Sequence, residues 1–353
     1  MDNIEEKLGQ IQAEIRKTPY HKGTEHHIGL LKAKLAKLRD LLIEKSSKKG
    51  GGTGFAIPKV GDATCVLVGL PSVGKSTILS KLSNAKPKIA SYPFTTLTVI
   101  PGIMNYKGAA IQILDVPGIV GGAARGVGSG KEVLSIVRVA NLLILICEAA
   151  KFSEQKKQIL TELETSNVRV NKLPPDIKIR KLSSGGLKVI SIPNCGVENS
   201  QIVKIAQGLG LTNAEIQIKE KITQDDLIDT ILANRVYLPA IFVGSKTDLT
   251  NFAPQDGVIL ISALKNLGLE ELNEKIWQNL DLIRVYLKPA GGAADFKKPL
   301  ILKYRSKLVE AAGKISQELA DELKGGQIIR NNLKKQVGIN FELENKDIIT
   351  FLT

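Results

Sequence analysis

The stretch Gly69 to Thr77, GLPSVGKST, carries little side chain along most of its length and then offers one lysine and two hydroxyls. A polyphosphate with a magnesium ion attached is the ligand that asks for this order. Glycines let the backbone bend so that successive N–H groups point at phosphate oxygens, a lysine neutralises the outer phosphates, and a hydroxyl ligates the metal. Gly69, Gly74, Lys75 and Ser76 fill every fixed position of G-x-x-x-x-G-K-[ST], with Pro71, Ser72 and Val73 inside the loop and Thr77 behind it. Lys75 is expected on the β and γ phosphates and Ser76 on magnesium, while the helix beginning near Ser76 turns its positive end toward the anion.

A second phosphate signal, Asp115-Val116-Pro117-Gly118, follows the apolar run AIQIL, 46 residues after Gly69. At the end of a strand it would put a carboxylate over the magnesium's water shell and a glycine N–H at the γ phosphate. Between the two signals lies SYPFTTLTVIPG, Ser91 to Gly102, whose adjacent Thr95 and Thr96 could supply the last magnesium ligand. GIVGGAARGVGSG, Gly118 to Gly130, holds too many glycines to be rigid. It reads as a switch that orders around the γ phosphate and relaxes when that group leaves. Base selection enters later, at Ser245-Lys246-Thr247-Asp248 after the run AIFVG. An aspartate there can accept from guanine's ring N–H and exocyclic amine, which adenine does not offer, so GTP is favoured over ATP. Lys246 would lie along the base. The end of VILISAL, Ser262-Ala263-Leu264, would bring a backbone N–H to the guanine carbonyl.

These residues need a scaffold of parallel strands, and the sequence supplies one. From Asp62 onward short apolar runs alternate with helical stretches, the α/β pattern, with strands predicted at Thr64–Val68, Ala110–Leu114, Leu142–Cys147, Ala240–Val243 and Val258–Ile261. About 90 residues separate Cys147 from Ala240, whereas a crossover needs only about a dozen. Something is therefore inserted, and Val168 to Gln224, with LPPD, SSGG and LKVISI, suits a small α+β subdomain. Before the nucleotide segment, Ile4, Leu8, Ile11 and Ile15, then Leu31, Leu35, Leu38 and Leu42, recur at helical spacing on either side of Thr18-Pro19, which predicts a helical hairpin. His26 and His27 beside the break have no ligand-spaced companions and read as packing or surface histidines. SSKKGGGTG, Ser46 to Gly54, reads as a flexible linker. Past Asp281, IRVYLKP, PLILKY, a helical stretch Lys307 to Leu323 and IITFLT suggest a β-grasp-like unit. The expected division is a helical region at 1–50, a linker at 51–61, a nucleotide domain at 62–165 and 236–282, an inserted subdomain at 166–235, and a C-terminal domain at 283–353.

The chain has 353 residues, 43% hydrophobic and only 4% aromatic, which allows more than one core packed mainly by aliphatic side chains. No run of about 18 uncharged apolar residues and no charged-then-apolar leader is present, so a monomeric cytoplasmic protein without a membrane partner is expected. Cys65, Cys147 and Cys195 are widely spaced and read as small buried hydrophobes. A formal charge of +14 favours contact with polyanions such as RNA, solubility alone being the plainer account. Two clusters flank the nucleotide segment. Lys32, Lys34, Lys37, Arg39, Lys45, Lys48 and Lys49 face only Asp40 and Glu44, and Lys297, Lys298, Lys303, Arg305 and Lys307 crowd a short C-terminal stretch.

Taken together, GLPSVGKST, SYPFTTLT, DVPG and SKTD, preceded by TEHHIGLLKAKLAKL and joined by NRVYLPA, resemble the developmentally regulated GTP-binding proteins among the Obg-related GTPases, over nearly the whole chain. The resemblance implies a P-loop GTPase domain interrupted by an inserted subdomain, a C-terminal TGS domain from near Asp281, Thr96 as the magnesium-linked switch threonine, and an association with ribosomes and translation. A protein regulator acting through the TGS domain would fit it. Three positions depart from the pattern. Ser245 replaces the usual Asn and is too short for all of the amide's links between base and P-loop, which implies weaker nucleotide binding with specificity kept by Asp248. Ser72 replaces the Asn of potassium-activated relatives, which puts K+ stimulation in doubt. Ile119 stands where small signalling GTPases place a water-orienting glutamine, which implies slow unassisted hydrolysis. A GTPase switch acting on ribosomes or structured RNA is the expected function. A binding module merely stabilised by nucleotide is the alternative, and an ATP-dependent kinase is disfavoured by Asp248.

Overall fold

The computed structural model of the chain describes residues 2–19, 24–47, 60–83, 90–91, 98–116, 136–233, 235–250 and 256–353. Among them two compact units form, one from stretches within 1–54 and 161–238, the other from stretches within 55–121, 136–160 and 239–353.

The second unit contains the nucleotide domain. Ala63–Val68 (β1), Ala109–Asp115 (β4), Leu142–Glu148 (β5), Ala240–Ser245 (β11) and Val258–Leu260 (β12) run parallel in a sheet of order β12-β11-β5-β1-β4-β3-β2. β1 is buried at every position and β5 nearly so, as befits parallel strands covered on both faces, where apolar runs need not alternate. Leu67 pairs with Asp115 and Ser245 with Glu148, so the functional ends of β1, β4, β5 and β11 lie side by side. Ala90–Ser91 (β2) and Thr98–Tyr106 (β3) complete the sheet on the antiparallel side. The segment Ser91 to Gly102, expected to supply a magnesium ligand, ends inside β3, which begins at Thr98 and was not expected from the sequence. Among the described residues β3 beyond Val99 is paired only with β4, and such an edge tolerates a proline.

The same unit ends in a second sheet of order β14-β13-β17-β15-β16, made of Leu282–Leu287 (β13), Asp295–Lys303 (β14), Gly325–Arg330 (β15), Leu333–Val337 (β16) and Ile348–Leu352 (β17). Its core joins Ile283, Val285, Leu308 and Ile349. The stretch Lys307 to Leu323, expected as one helix, is two, Leu308–Ile315 and Gln317–Glu322. Ser316 between them is extended and its Oγ accepts from Leu319 N at 3.1 Å, so it starts the second helix as its cap. β15 and β16 were not expected, because Gly325-Gly326 and the exposed Lys334-Lys335 mask any alternation.

In the first unit, Asp2–Lys17 (α1) and Glu25–Ser47 (α2) form the expected hairpin across Pro19. Val168–Val170 (β6) pairs in parallel with Val236–Leu238 (β10), and between them lie Ile177–Lys181 (β7), Leu187–Ser191 (β8) and Ala214–Ile218 (β9) in the order β7-β9-β8. Helices Asn199–Gly208 and Gln224–Leu232 cover one face of this sheet. Ile202, Ile205, Ile216 and Leu227 fill the core together with Ala33 and Ala36 of α2, so the hairpin is built into the inserted subdomain's core. In the leucine stripe Leu31 is buried while Leu35 and Leu38 are half-buried. The small Ala33 and Ala36 are what let α2 approach closely. His27 pairs with Glu14 at 2.9 Å across the hairpin. All three cysteines are buried free thiols, and burial raises the pKa of Cys147 to about 12. No helix among the described residues is long and apolar enough to cross a membrane.

Candidate nucleotide site

The P-loop leaves β1 at Val68 and ends at Lys75, where helix Lys75–Leu82 (α3) begins. Ser72 and Gly74 both take the left-handed conformation, with φ of 63° and 96°. Gly74 needs that freedom rather than space, since nothing lies within 4 Å of where its Cβ would be. Gly69 is required by space: a Cβ there would sit 2.5 Å from the Ile146 carbonyl oxygen of β5. Gly74, as N-cap of α3, gives the first turn no side-chain cap, which leaves its N–H groups for an anion. Pro71, Ser72, Ser76 and Thr77 are exposed along the loop and first turn.

Lys75 is buried and its Nζ donates to the carbonyls of Gly69 at 3.0 Å and Leu70 at 2.8 Å. Burial lowers its pKa, and the nearby Asp115 carboxylate partly restores it. A cation desolvated in this way gains most from an arriving phosphate. Asp115, fully buried at the end of β4, accepts from Ser76 Oγ at 2.5 Å through Oδ2, while its Oδ1 has no hydrogen-bond partner among the described residues. A hydroxyl, a carboxylate and an orphaned carboxylate oxygen side by side are hard oxygen donors of the kind magnesium takes, so these residues fit that ion. Thr95, Thr96, Gly118 and Ile119 lie outside the described residues, as do the whole glycine-rich segment Gly118 to Gly130 and most of the linker at 51–61.

The base end is a cleft of about 190 Å³ between the P-loop residues Val73, Gly74 and Thr77 and the loops after β11 and β12, which bring Lys246, Asp248, Ala263 and Leu264. Asp248 Oδ1 accepts from Ser262 Oγ at 2.6 Å, and that bond, followed by a backbone N–H, holds its pKa below the ordinary carboxylate value. Lys265 N donates in turn to Ser262 Oγ at 3.2 Å, so the buried serine is itself fixed. Ser245, despite its length, reaches the P-loop: its Oγ lies 2.7 Å from Val73 O and 3.1 Å from Cys147 O.

Ile78, Glu148 and Leu249, which line or adjoin this cleft, escaped the sequence reading, the last two being the more informative. Glu148 forms an ion pair with Lys246, and Leu249 lines the cleft while 75% exposed. Neither belongs to a motif. Glu148 could have been found only through the β5–β11 register that sets it beside Ser245.

The chain is similar to known GTP-binding proteins over its full length. Residues 64–174 match the family described as 50S ribosome-binding GTPase, 184–282 match the C-terminal region of that domain, and 283–353 match the TGS domain. The chain is 39% identical to "Ribosome-interacting GTPase 1" of Saccharomyces cerevisiae over 100% of both chains. It is 39% identical to "Developmentally-regulated GTP-binding protein 1" of Xenopus laevis over 97% of each, and 39% identical to "GTP-binding protein 1" of Schizosaccharomyces pombe over 99% of each. With a GTPase domain and a TGS domain matched in one chain, and this identity running its full length, the chain belongs to the developmentally regulated GTP-binding protein family.

Proposed function

We propose that this GTP-binding protein hydrolyses GTP to GDP and phosphate as a slow, magnesium-dependent switch in the cytoplasm, and that its GTP form engages the ribosome or structured RNA. The observation that carries the reading is the buried Asp115, with one oxygen on Ser76 and the other orphaned, beside the desolvated Lys75. A pocket that only stored nucleotide would have no use for this arrangement of charge. In the proposed division of labour the P-loop from Gly69 to Thr77 cradles the phosphates. Lys75 holds charge developing on the γ phosphoryl group as water attacks in line. Ser76, Asp115 and Thr96 hold magnesium, which when bound supplies Lewis-acid stabilisation of the phosphate oxygens. Gly118 would offer its N–H to the γ phosphate. Asp248, Lys246, Ser245 and the loop Ser262 to Leu264 bind guanine, with Ser262 orienting Asp248. The yeast relative's name and the +14 charge support the ribosomal partner. Ile119 in place of a glutamine supports a low intrinsic rate raised by that partner, and equally the second reading, a nucleotide-stabilised binding module.

Phosphate release from GTP and ATP, with magnesium, in sodium or potassium, with and without ribosomes, tests the switch. Turnover is expected to be GTP-selective, raised by ribosomes, insensitive to the choice of alkali ion, and at least a hundredfold lower in Lys75→Ala, the range typical for removing a transition-state charge partner. GTP binding without turnover above that of Lys75→Ala under every condition would establish the binding module instead.

A further inference from the structure

The α1–α2 hairpin has one covered side and one open side. Ile28, Leu31, Ala33 and Ala36 of α2 are buried. Between the helices on the open side lies a cleft of about 380 Å³ lined by Lys7, Gln10 and Ile11 of α1 and by Lys34, Lys37 and Leu38 of α2. Each helix thus contributes a lysine, a long polar side chain three residues on, and an aliphatic one residue later, the spacing that aligns them on one helical face. Ile11 and Leu38 are half-buried and form the floor, while Lys7, Lys34 and Lys37 are exposed and form the rim. Among the described side chains no carboxylate lines the cleft, and none of the three lysines has an ion-pair partner.

We propose that this cleft is a docking groove for an acidic amphipathic helix of a partner protein, which completes a three-helix bundle with α1 and α2. An apolar floor asks for aliphatic anchors at helical spacing, the mode in which a helix lays one face into a groove. The lysine rim asks for glutamate or aspartate flanking those anchors. RNA satisfies the rim but leaves the floor without a partner. The segment that follows α2 does not match the rim: residues 48–59 carry Lys48, Lys49 and Lys59 with no carboxylate.

The test uses the full-length protein loaded with GDP and a fluorescein-labelled peptide of about 18 residues, long enough to hold helix, with leucines at i, i+3, i+4 and i+7 and glutamates flanking them. Controls are its scrambled form, its lysine-for-glutamate form and a labelled RNA hairpin. The acidic peptide is expected to bind at least tenfold more tightly than either control peptide. Lys34→Glu/Lys37→Glu and, separately, Leu38→Glu should each weaken it at least tenfold, with melting temperature and unstimulated GTP turnover unchanged. Equal binding of the scrambled peptide, indifference to both variants, or loss of RNA hairpin affinity in place of peptide affinity would each overturn the proposal.

Discussion

In the proposed function Asp248 selects the base, and its surroundings would give that choice a pH dependence. The Ser262 hydroxyl at 2.6 Å is the largest cause of its lowered pKa. The carboxylate must be ionised to accept both guanine donors, so affinity is present above its folded pKa and fades as pH falls through it. Because that pKa is depressed, the fade begins below the ordinary aspartate range of about 3.9. Ser262→Ala removes the main cause, so the pKa rises and the acid limb of GDP affinity moves to higher pH. Fluorescent-GDP titration at about pH 4.5 and pH 7 should show a larger loss on acidification in Ser262→Ala than in the parent. Equal ratios would mean that Ser262 positions the loop without tuning the charge. At pH 7 the variant should lose affinity as well, for one less hydrogen bond ordering the loop.

Secondary elements were legible where one physical rule dominated. Apolar runs such as ATCVLV and LLILIC bounded by glycine motifs read directly as buried parallel strands, and the P-loop and guanine motifs marked their carboxyl ends. The misses have a common form, in which local composition pointed one way and tertiary pairing the other. Pro101-Gly102 hid β3, Gly325-Gly326 hid β15, and Ser316, a helix start, lay inside an apparently continuous helix. Glu148 was invisible because strand register, not spacing, brings it to Lys246. The β6–β10 ribbon illustrates the same limit. Its strands are three residues each and neither was expected as a strand, yet Arg169 of β6 grips the buried Asp229 through Nε at 2.6 Å and Nη2 at 2.9 Å, and Arg235 adds a third bond at 2.6 Å. Breaking such a buried pair from the carboxylate side leaves guanidinium charge poorly compensated and costs about 3–5 kcal/mol. Asp229→Ala should therefore lower the chemical-denaturation midpoint by that equivalent, while fluorescent-GDP affinity below the transition stays at the parental value. A loss under about 1 kcal/mol would mean the arginines find other partners.

Across the second unit, the nucleotide domain and the TGS domain share structure more than a beads-on-a-string division suggests. Leu280, Leu282 and Ile301 belong to the same buried cluster as Ala63, Ile111 and Ile276. Lys314 donates to Asp62 at 2.7 Å and to Ile301 O at 2.6 Å, and Asp62 also accepts from Ala110 N at 2.9 Å. The β3–β4 turn is fitted to the same joint, since a Cβ on Gly108 would lie 2.5 Å from Pro299. These contacts gather at the start of β1, whereas the P-loop leaves its far end, six residues and about 20 Å away. Two consequences follow from that arrangement. Destabilising the joint should unfold both domains together, and it should do so without altering the nucleotide site in the folded state. Ile301→Ala, at a position 3% exposed, is expected to cost about 2–5 kcal/mol. Trp277, the single tryptophan, packs at the joint within 5.8 Å of both Arg284 and Lys107, and so reports the docked state, while release of fluorescent GDP reports the nucleotide domain. In thermal melts of Ile301→Ala the two signals should fall together at a lowered midpoint, with GDP affinity at 25 °C equal to the parent's. If Trp277 fluorescence changed well before GDP was released, the domains would be separable folding units and the shared cluster merely an interface between them.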